Sequence, residues 1–160
     1  MPKYSNGYVY KDVLMLKSDF ATGTLLLKHN CLDSTGYFDE NLLRHQDYQL
    51  LINFTYKYKL YQVDEYLHCC DISDTINRPS GEKLIEHKKK FFNSVSPIIN
   101  TLTLKEKECV YCIHKFQVGY IFLKEKEYIK ALKCFISIIK SPLALKLVLI
   151  KIKQRIDMNS

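Results

Sequence analysis

The chain has 160 residues, of which 47% are hydrophobic and 26% are charged, the composition of one folded domain or of one domain with an appendage. This excludes a disordered or a collagen-like chain, and five glycines and four prolines are few for an all-β protein built on tight turns. The net charge of +7 is uneven, because residues 1–79 carry a net −2 and residues 80–160 a net +9. We therefore predict two parts with this boundary, the second with a basic surface.

The sequence has none of the patterns typical of membrane-spanning or secreted proteins. Its most apolar stretch, residues 143–152, is interrupted by Lys146 and Lys151 and falls short of the roughly 18 uninterrupted apolar residues that cross a bilayer. The first residues contain no apolar segment of the kind found in signal peptides. The six cysteines include one adjacent pair and are otherwise scattered in apolar runs, which favours reduced, buried thiols. We predict a cytoplasmic protein.

In the first part, the hydrophobic pattern predicts a few strands and one helix. Residues 22–27 form a short apolar run and residues 61–70 alternate in part, so we predict a strand at each. Residues 28–35 predict a helical turn that ends at Gly36. Residues 47–58 predict a helix, because apolar side chains recur on one face at positions 50, 51, 54 and 58.

A polar loop over residues 71–81 leads into the second part. Every segment after it has a pattern that predicts a helix. Thr103 and Glu106 have the spacing of a capping box, and Pro142 suits the first turn of the last helix. The lysine run at residues 88–90 predicts a solvated helix face. The predicted helices cover residues 81–94, 103–123, 128–140 and 143–156.

Two of these helices carry the spacing of one tetratricopeptide unit. Gly119, Phe122, Ala131 and Phe135 occupy signature positions, with Pro142 one residue from its usual place. We expect the two small residues where the helices touch and the aromatic rings beside them. Because about three such units make a stable array, a single unit predicts a helical hairpin packed on another part of the protein.

An ordered set of short motifs spans residues 8–78. It consists of the apolar run at 22–27, a Gly-x-Phe-Asp-Glu turn, a Gln-Asp-x-x-Leu helix start and a later Asp-Glu-x-Leu. The matching residues are Gly36, Phe38, Asp39, Glu40, Gln46, Asp47, Leu50, Asp64, Glu65 and Leu67. This set resembles the second half of the catalytic domain of family 2 glycosyltransferases, inverting enzymes with the GT-A nucleotide-sugar fold.

The resemblance implies a helix-rich α/β fold. Residues 1–79 would be the acceptor-side half of a GT-A-like domain, and residues 80–160 an α-helical, tetratricopeptide-like extension. It also implies transfer of a sugar from a nucleotide-sugar donor to a glycan or lipid-linked acceptor in surface polysaccharide synthesis. Asp47 would be the general base that takes the proton of the acceptor hydroxyl, and Asp39, Glu40 and Gln46 would bind the acceptor.

The chain departs from the family pattern at the donor side. The family enzyme needs a divalent metal, Mg²⁺ or Mn²⁺, for the leaving nucleoside diphosphate, but the nucleotide-binding half and its Asp-x-Asp motif are absent here. We therefore expect no metal site and no cofactor on this chain, nucleotide-sugar binding only together with the missing half, and no activity of the chain alone. Cys109 and Cys112 have the spacing of half a zinc site but lie in a helical apolar pattern, which favours a structural role.

Other interpretations remain open. Asp47 can be an acidic residue that only stabilises a helix N-terminus. The chain can be a non-catalytic helical protein-interaction module that uses the hairpin at residues 105–156. The last helix mixes apolar and basic residues, so contact with an anionic membrane at its inner face is a further possibility. Nucleic-acid binding is not predicted, because the basic residues are spread along the chain and form no recognisable module.

Overall fold

The computed structural model describes residues 6–17, 20–63, 65, 67–69, 79–139 and 141–157. In these residues the chain forms a short 3₁₀ turn at Thr22–Thr24 and eight α-helices. The helices are α1 (Tyr10–Leu14), α2 (His29–Thr35), α3 (Gln46–Lys57), α4 (Gly81–Ser94), α5 (Ser96–Asn100), α6 (Leu104–Lys124), α7 (Tyr128–Ile139) and α8 (Pro142–Asp157).

The described residues form no strand or sheet, so the predicted α/β fold is wrong, and no GT-A core is present in that part of the chain. The predicted strand at residues 22–27 begins as a 3₁₀ turn, and Leu26 is 97% exposed. The described positions of the predicted strand at 61–70 are also irregular, while Asp64, Tyr66 and Cys70 lie outside the described residues. A strand needs a neighbour for its backbone N–H and C=O groups. Among the described residues, the one β-bridge pairs Gly7 with Leu60, just before the second predicted strand.

The helix predictions agree much better with the structure. Helix α3 buries Leu50, Leu51 and Phe54 on the predicted face. At the start of α6 the Thr103 hydroxyl accepts from the Glu106 N–H at 3.3 Å, and the Glu106 carboxylate accepts from the Thr103 N–H at 2.9 Å. This capping box is confirmed, and α8 begins at Pro142 as predicted.

The contact between α6 and α7 has the steric form that the tetratricopeptide spacing predicts. A Cβ atom on Gly119 would lie 2.7 Å from Cε1 of Phe135 and 2.9 Å from Cβ of Cys134. Ala131 is fully buried on the facing side of α7. The ring of Phe122 packs directly on Gly81, so the first turn of α4 rests on this hairpin.

One large hydrophobic core joins both parts of the chain. It includes Val13 and Leu14 of α1, Leu51 and Ile52 of α3, and Phe91 of α4. Further side chains from α5, α6, α7 and α8 complete it: Ile98, Ile99, Cys109, Val110, Ile113, Ile138, Ala144 and Val148. The described residues between positions 6 and 69 are therefore anchored on the helices that follow them, mainly through α1 and α3.

Candidate functional site

Asp47 lies in the first turn of α3, where its carboxylate is half-buried and held from two sides. Its Oδ2 accepts a hydrogen bond from the Thr22 hydroxyl at 3.3 Å, and its Oδ1 accepts one from the Tyr48 N–H at 2.9 Å. A negative charge is favourable at a helix N-terminus, because the N–H groups of the first turn have no partner within the helix. The carboxylate is thus fixed in position and keeps lone pairs for a further donor.

A cleft of about 690 Å³ lies next to the segment around Thr22, although neither Thr22 nor Asp47 lines it. One wall consists of Phe20, Ala21 and the segment from Gly23 to Leu26, and the other runs from Leu60 to Val63, with Val13 and Leu51 among the apolar lining. Thr22, the partner of Asp47, lies in the chain between the lining residues Ala21 and Gly23. Small-molecule sites in proteins have this size and this mainly apolar lining with a few polar groups.

Two of the motifs in the family resemblance meet at this cleft. Glu65 and Leu67, from the Asp-Glu-x-Leu motif, line it. Gly23, Thr24, Leu25 and Leu26, from the apolar run at 22–27, line it as well, and Asp47 bonds to Thr22 of the same run. The ring of His68 packs on Gly23, where an added Cβ would lie 3.0 Å from the imidazole Cε1. Asp64 of the same motif lies outside the described residues.

Of the residues predicted to bind the acceptor, Asp39 and Glu40 lie in the loop that leads into α3, and Gln46 is the first residue of that helix. The Asp39 carboxylate accepts from the backbone N–H and the side-chain amide of Asn41, at 3.0 and 3.1 Å. The Gln46 side-chain amide donates to the carbonyl of Leu42, and Glu40 is exposed. These bonds shape the loop, whereas the side chain of Asp47 bonds to Thr22. A role of the three residues in acceptor binding stays a prediction.

A metal ion does not fit the residues that the structure describes. No three of their His, Cys, Asp and Glu side chains lie close enough together to hold one. Cys109 and Cys112 are buried in α6, and the Cys112 thiol donates to the Ser137 carbonyl at 3.1 Å. Burial raises the pKa of the Cys109 thiol to about 11, so little reactive thiolate forms at neutral pH.

The structure also contains a buried polar cluster that the sequence interpretation missed. Lys88 is only 4% exposed, so the prediction of a solvated face at residues 88–90 is wrong for this residue. Its Nζ lies 2.7 Å from Nδ1 of His114 and donates to Oε1 of Gln117 at 2.6 Å. Nε2 of His114 is 2.9 Å from the Leu14 carbonyl oxygen. A carbonyl can only accept, so Nε2 carries the proton and Nδ1 accepts from Lys88.

Burial controls the ionisation of this cluster. It lowers the pKa of Lys88 to about 7. It also lowers the pKa of nearby His45 to about 3, with Lys88 contributing repulsion. The sequence spacing does indicate that Lys88 is buried. It lies four residues after Leu84 and three before Phe91, and both of these are buried on the same face of α4. A charge run does not show which of its members faces inward.

No family model, no curated protein and no solved structure matches the chain. These comparisons identify no glycosyltransferase family, and the resemblance therefore rests on the motifs alone. Across the described residues, no helix is both long enough and apolar enough to span a bilayer.

Proposed function

We propose that this chain is the acceptor-side part of a glycosyltransferase and that Asp47 is its general base. The observation that carries the proposal is the meeting of two motifs at one cleft, the apolar run at 22–27 and the Asp-Glu-x-Leu motif, with Asp47 bonded to Thr22 of that run. The proposal concerns this site and does not require a GT-A sheet in the chain. The set of matching residues in correct order is its second support.

The chemistry assigned to this chain is proton removal. As the acceptor oxygen bonds to the anomeric carbon of the donor sugar, the bond from that carbon to the nucleoside diphosphate breaks, and the hydroxyl proton passes to Asp47. A carboxylate of modest basicity suffices, because the hydroxyl becomes acidic only as the new bond forms. The bonds from Thr22 and Tyr48 hold the carboxylate so that its remaining lone pairs can meet the acceptor.

The donor side belongs to another polypeptide segment. In this proposal the nucleotide sugar and the metal of the family enzyme bind to the nucleotide-binding half, and the chain alone transfers nothing. We place the assembled protein at the cytoplasmic side of a membrane, where a glycan or lipid-linked acceptor would be extended. The described cysteines, none of which is in a disulfide, are compatible with a reducing compartment.

Acceptor binding by the cleft can be tested on the chain as it is. Saturation-transfer-difference NMR with a panel of methyl glycosides, and with a polyprenyl-phosphate-linked monosaccharide in micelles, should show binding of at least one sugar. Thr24→Trp, which fills the cleft from an exposed wall position, should remove the signal. Asn30→Trp, on the exposed side of α2, is the matched control and should keep it. Absence of any bound sugar, or binding that persists in Thr24→Trp, would contradict the proposal.

A second candidate is a non-catalytic helical binding module. It is favoured by the exposed apolar side chains on α7, among them Ile129 and Leu132. In this case Asp47 has only the structural role of a charge at the N-terminus of α3. The glycoside experiment separates the two candidates, because a binding module with a structural Asp47 needs no sugar in the cleft.

A further inference from the structure

Helix α7 presents an apolar strip to the solvent. Ile129 and Ile139, at its two ends, are each 74% exposed. Leu132 and Ile136 lie between them on the same face, because residues three and four apart are neighbours on a helix surface. The opposite face of α7 is occupied by Ala131 and Ile138, which pack into the core. The strip is therefore additional to what the hairpin needs for its own packing.

Helix α8 presents a second exposed surface in which apolar and basic residues are interleaved. Its inner face is closed by Ala144 and Val148. On the outer face, the repeat of 3.6 residues places Lys146 and Lys153 between two rows of aliphatic side chains. These rows consist of Leu145, Leu149 and Ile152 on one side, and Leu143 and Ile150 on the other. Leu145, Leu149 and Ile150 line a shallow depression of about 380 Å³ that the two lysines border.

The sequence of α7 and α8 carries charge of one sign over most of its length. Residues 128–156 contain seven lysines and arginines and no aspartate or glutamate. Lys133, Lys146 and Lys153 are exposed beside the apolar side chains of α7 and α8, and Lys130, also exposed, is paired with Glu82 at 2.9 Å and with Glu127 at 3.8 Å. We call these exposed apolar and basic residues of α7 and α8 the basic apolar surface. Its charge is complementary to an anionic partner.

The residue types favour a lipid surface over a protein. Protein interfaces are enriched in aromatic residues, methionine and arginine, and depleted in lysine. The basic apolar surface instead consists mainly of leucine, isoleucine and lysine, with Tyr128 as its exposed aromatic residue on α7. Leucine and isoleucine enter the region between headgroups and acyl chains, while lysine keeps its ammonium at the headgroups on a flexible apolar stem.

We propose that the basic apolar surface docks on an anionic membrane, with the outer face of α8 and the strip of α7 in the headgroup layer. The inference does not depend on Asp47 or on sugar transfer. Each lysine near an anionic surface contributes about 1 kcal/mol, roughly 5-fold in affinity, and the contribution is screened by salt. Loss of the charges of Lys146 and Lys153 together should therefore weaken binding by about 30-fold.

Co-sedimentation of the full chain with two kinds of vesicle tests the proposal. Vesicles of phosphatidylcholine mixed with phosphatidylglycerol should bind the chain at low salt and release it at high salt, whereas phosphatidylcholine alone should bind little. The double variant Lys146→Gln with Lys153→Gln should show the weakening. Lys89→Gln with Lys90→Gln removes the same charge from an exposed part of α4 and should have a much smaller effect.

A fluorescent reporter gives a second measurement, because the chain contains no tryptophan. Leu149→Trp should show a blue-shifted emission on anionic vesicles, while Leu43→Trp, exposed in the loop before α3, should not. Circular dichroism checks that each variant is folded. Absent or salt-insensitive vesicle binding, or equal weakening in both lysine variants, would overturn the proposal. So would a Leu149→Trp shift that arises without vesicles from self-association, or binding to polyglutamate in place of vesicles.

Discussion

The segments around the cleft and the hairpin of α6 and α7 are held together in different ways. The walls at residues 20–26 and 60–63 are irregular, and side chains such as Leu26 and Tyr61 remain exposed. The hairpin has long helices, a capped N-terminus and the close approach of Gly119 to α7. Open backbone and a fixed carboxylate suit ligand chemistry, whereas tight packing suits mechanical support. Substitutions around the cleft should therefore change mainly the reaction rate. Substitutions in the hairpin should change mainly the free energy of unfolding.

The largest expected effect concerns Asp47. In a fusion of this chain to the nucleotide-binding half of a family 2 glycosyltransferase, Asp47→Asn should lower the transfer rate by at least about 100-fold, the usual contribution of a general base. Donor binding and the free energy of unfolding should change little. Glu86→Gln, at an exposed carboxylate of α4, serves as the control for charge. Normal turnover in the Asn variant would remove Asp47 from the mechanism.

The next effect concerns the pH dependence of stability through Lys88. Its pKa is about 7 in the folded chain against 10.5 for an ordinary lysine, so between these values the unfolded chain binds more protons. Stability should therefore rise with pH in this window, by up to about 1.4 kcal/mol per pH unit. Urea denaturation from about pH 7.5 to about pH 9.5 measures the rise.

Lys88→Met should abolish the part of this rise that comes from the lysine, and Lys89→Met, at an exposed position, should leave it unchanged. The pH dependence of the free energy of unfolding is compared between each variant and the unchanged chain. The difference cancels the contributions of other groups that titrate in the same range. A rise of equal size in Lys88→Met would show that the amine does not cause it.

A smaller effect is expected at the helix contact. Gly119→Ala places a methyl group against Phe135 and Cys134, and overpacking of this kind costs about 1–3 kcal/mol of the free energy of unfolding. Lys115→Ala, at an exposed position of the same helix, should change it by less than about 0.5 kcal/mol. Chemical denaturation measures both. Equal stability of the two variants would mean that α6 and α7 are not in close contact at this point.

The smallest effect is expected in the wall of the cleft. Leu26→Ala should change the free energy of unfolding by less than about 0.5 kcal/mol, because the side chain is 97% exposed. Leu51→Ala, at 1% exposure on α3, should cost about 2–5 kcal/mol. A large cost at Leu26 would instead support the buried strand that the apolar run predicted.

Local patterns account for what could be predicted from the sequence. The capping box at Thr103, the small residue at Gly119 and the buried face of α3 depend on spacings of three and four residues within a segment, so the sequence shows them directly. Asp47 was placed at a helix start for the same reason. The contact of its carboxylate with Thr22 could not be predicted, because 25 residues separate the two.

The wrong predictions share one physical cause. A short apolar run such as residues 22–27 fits a strand, a buried turn or an exposed wall equally well, and the outcome depends on whether another segment pairs with it. The burial of Lys88 likewise depends on His114 and Gln117, which α6 brings to α4 from 26 and 29 residues away. Which segments contact each other is decided by the tertiary structure, so a local sequence pattern does not show it.

The bond between His114 and the Leu14 carbonyl has a consequence for the order of folding. It joins two residues that are 100 positions apart, whereas the hairpin of α6 and α7 forms from neighbouring segments. Local contacts form before distant ones, since closing a long loop costs more entropy. We therefore expect the chain to nucleate at the hairpin and to dock α1 last. In native-state hydrogen exchange, the amides of α1 would then open at a lower free energy than those of α6.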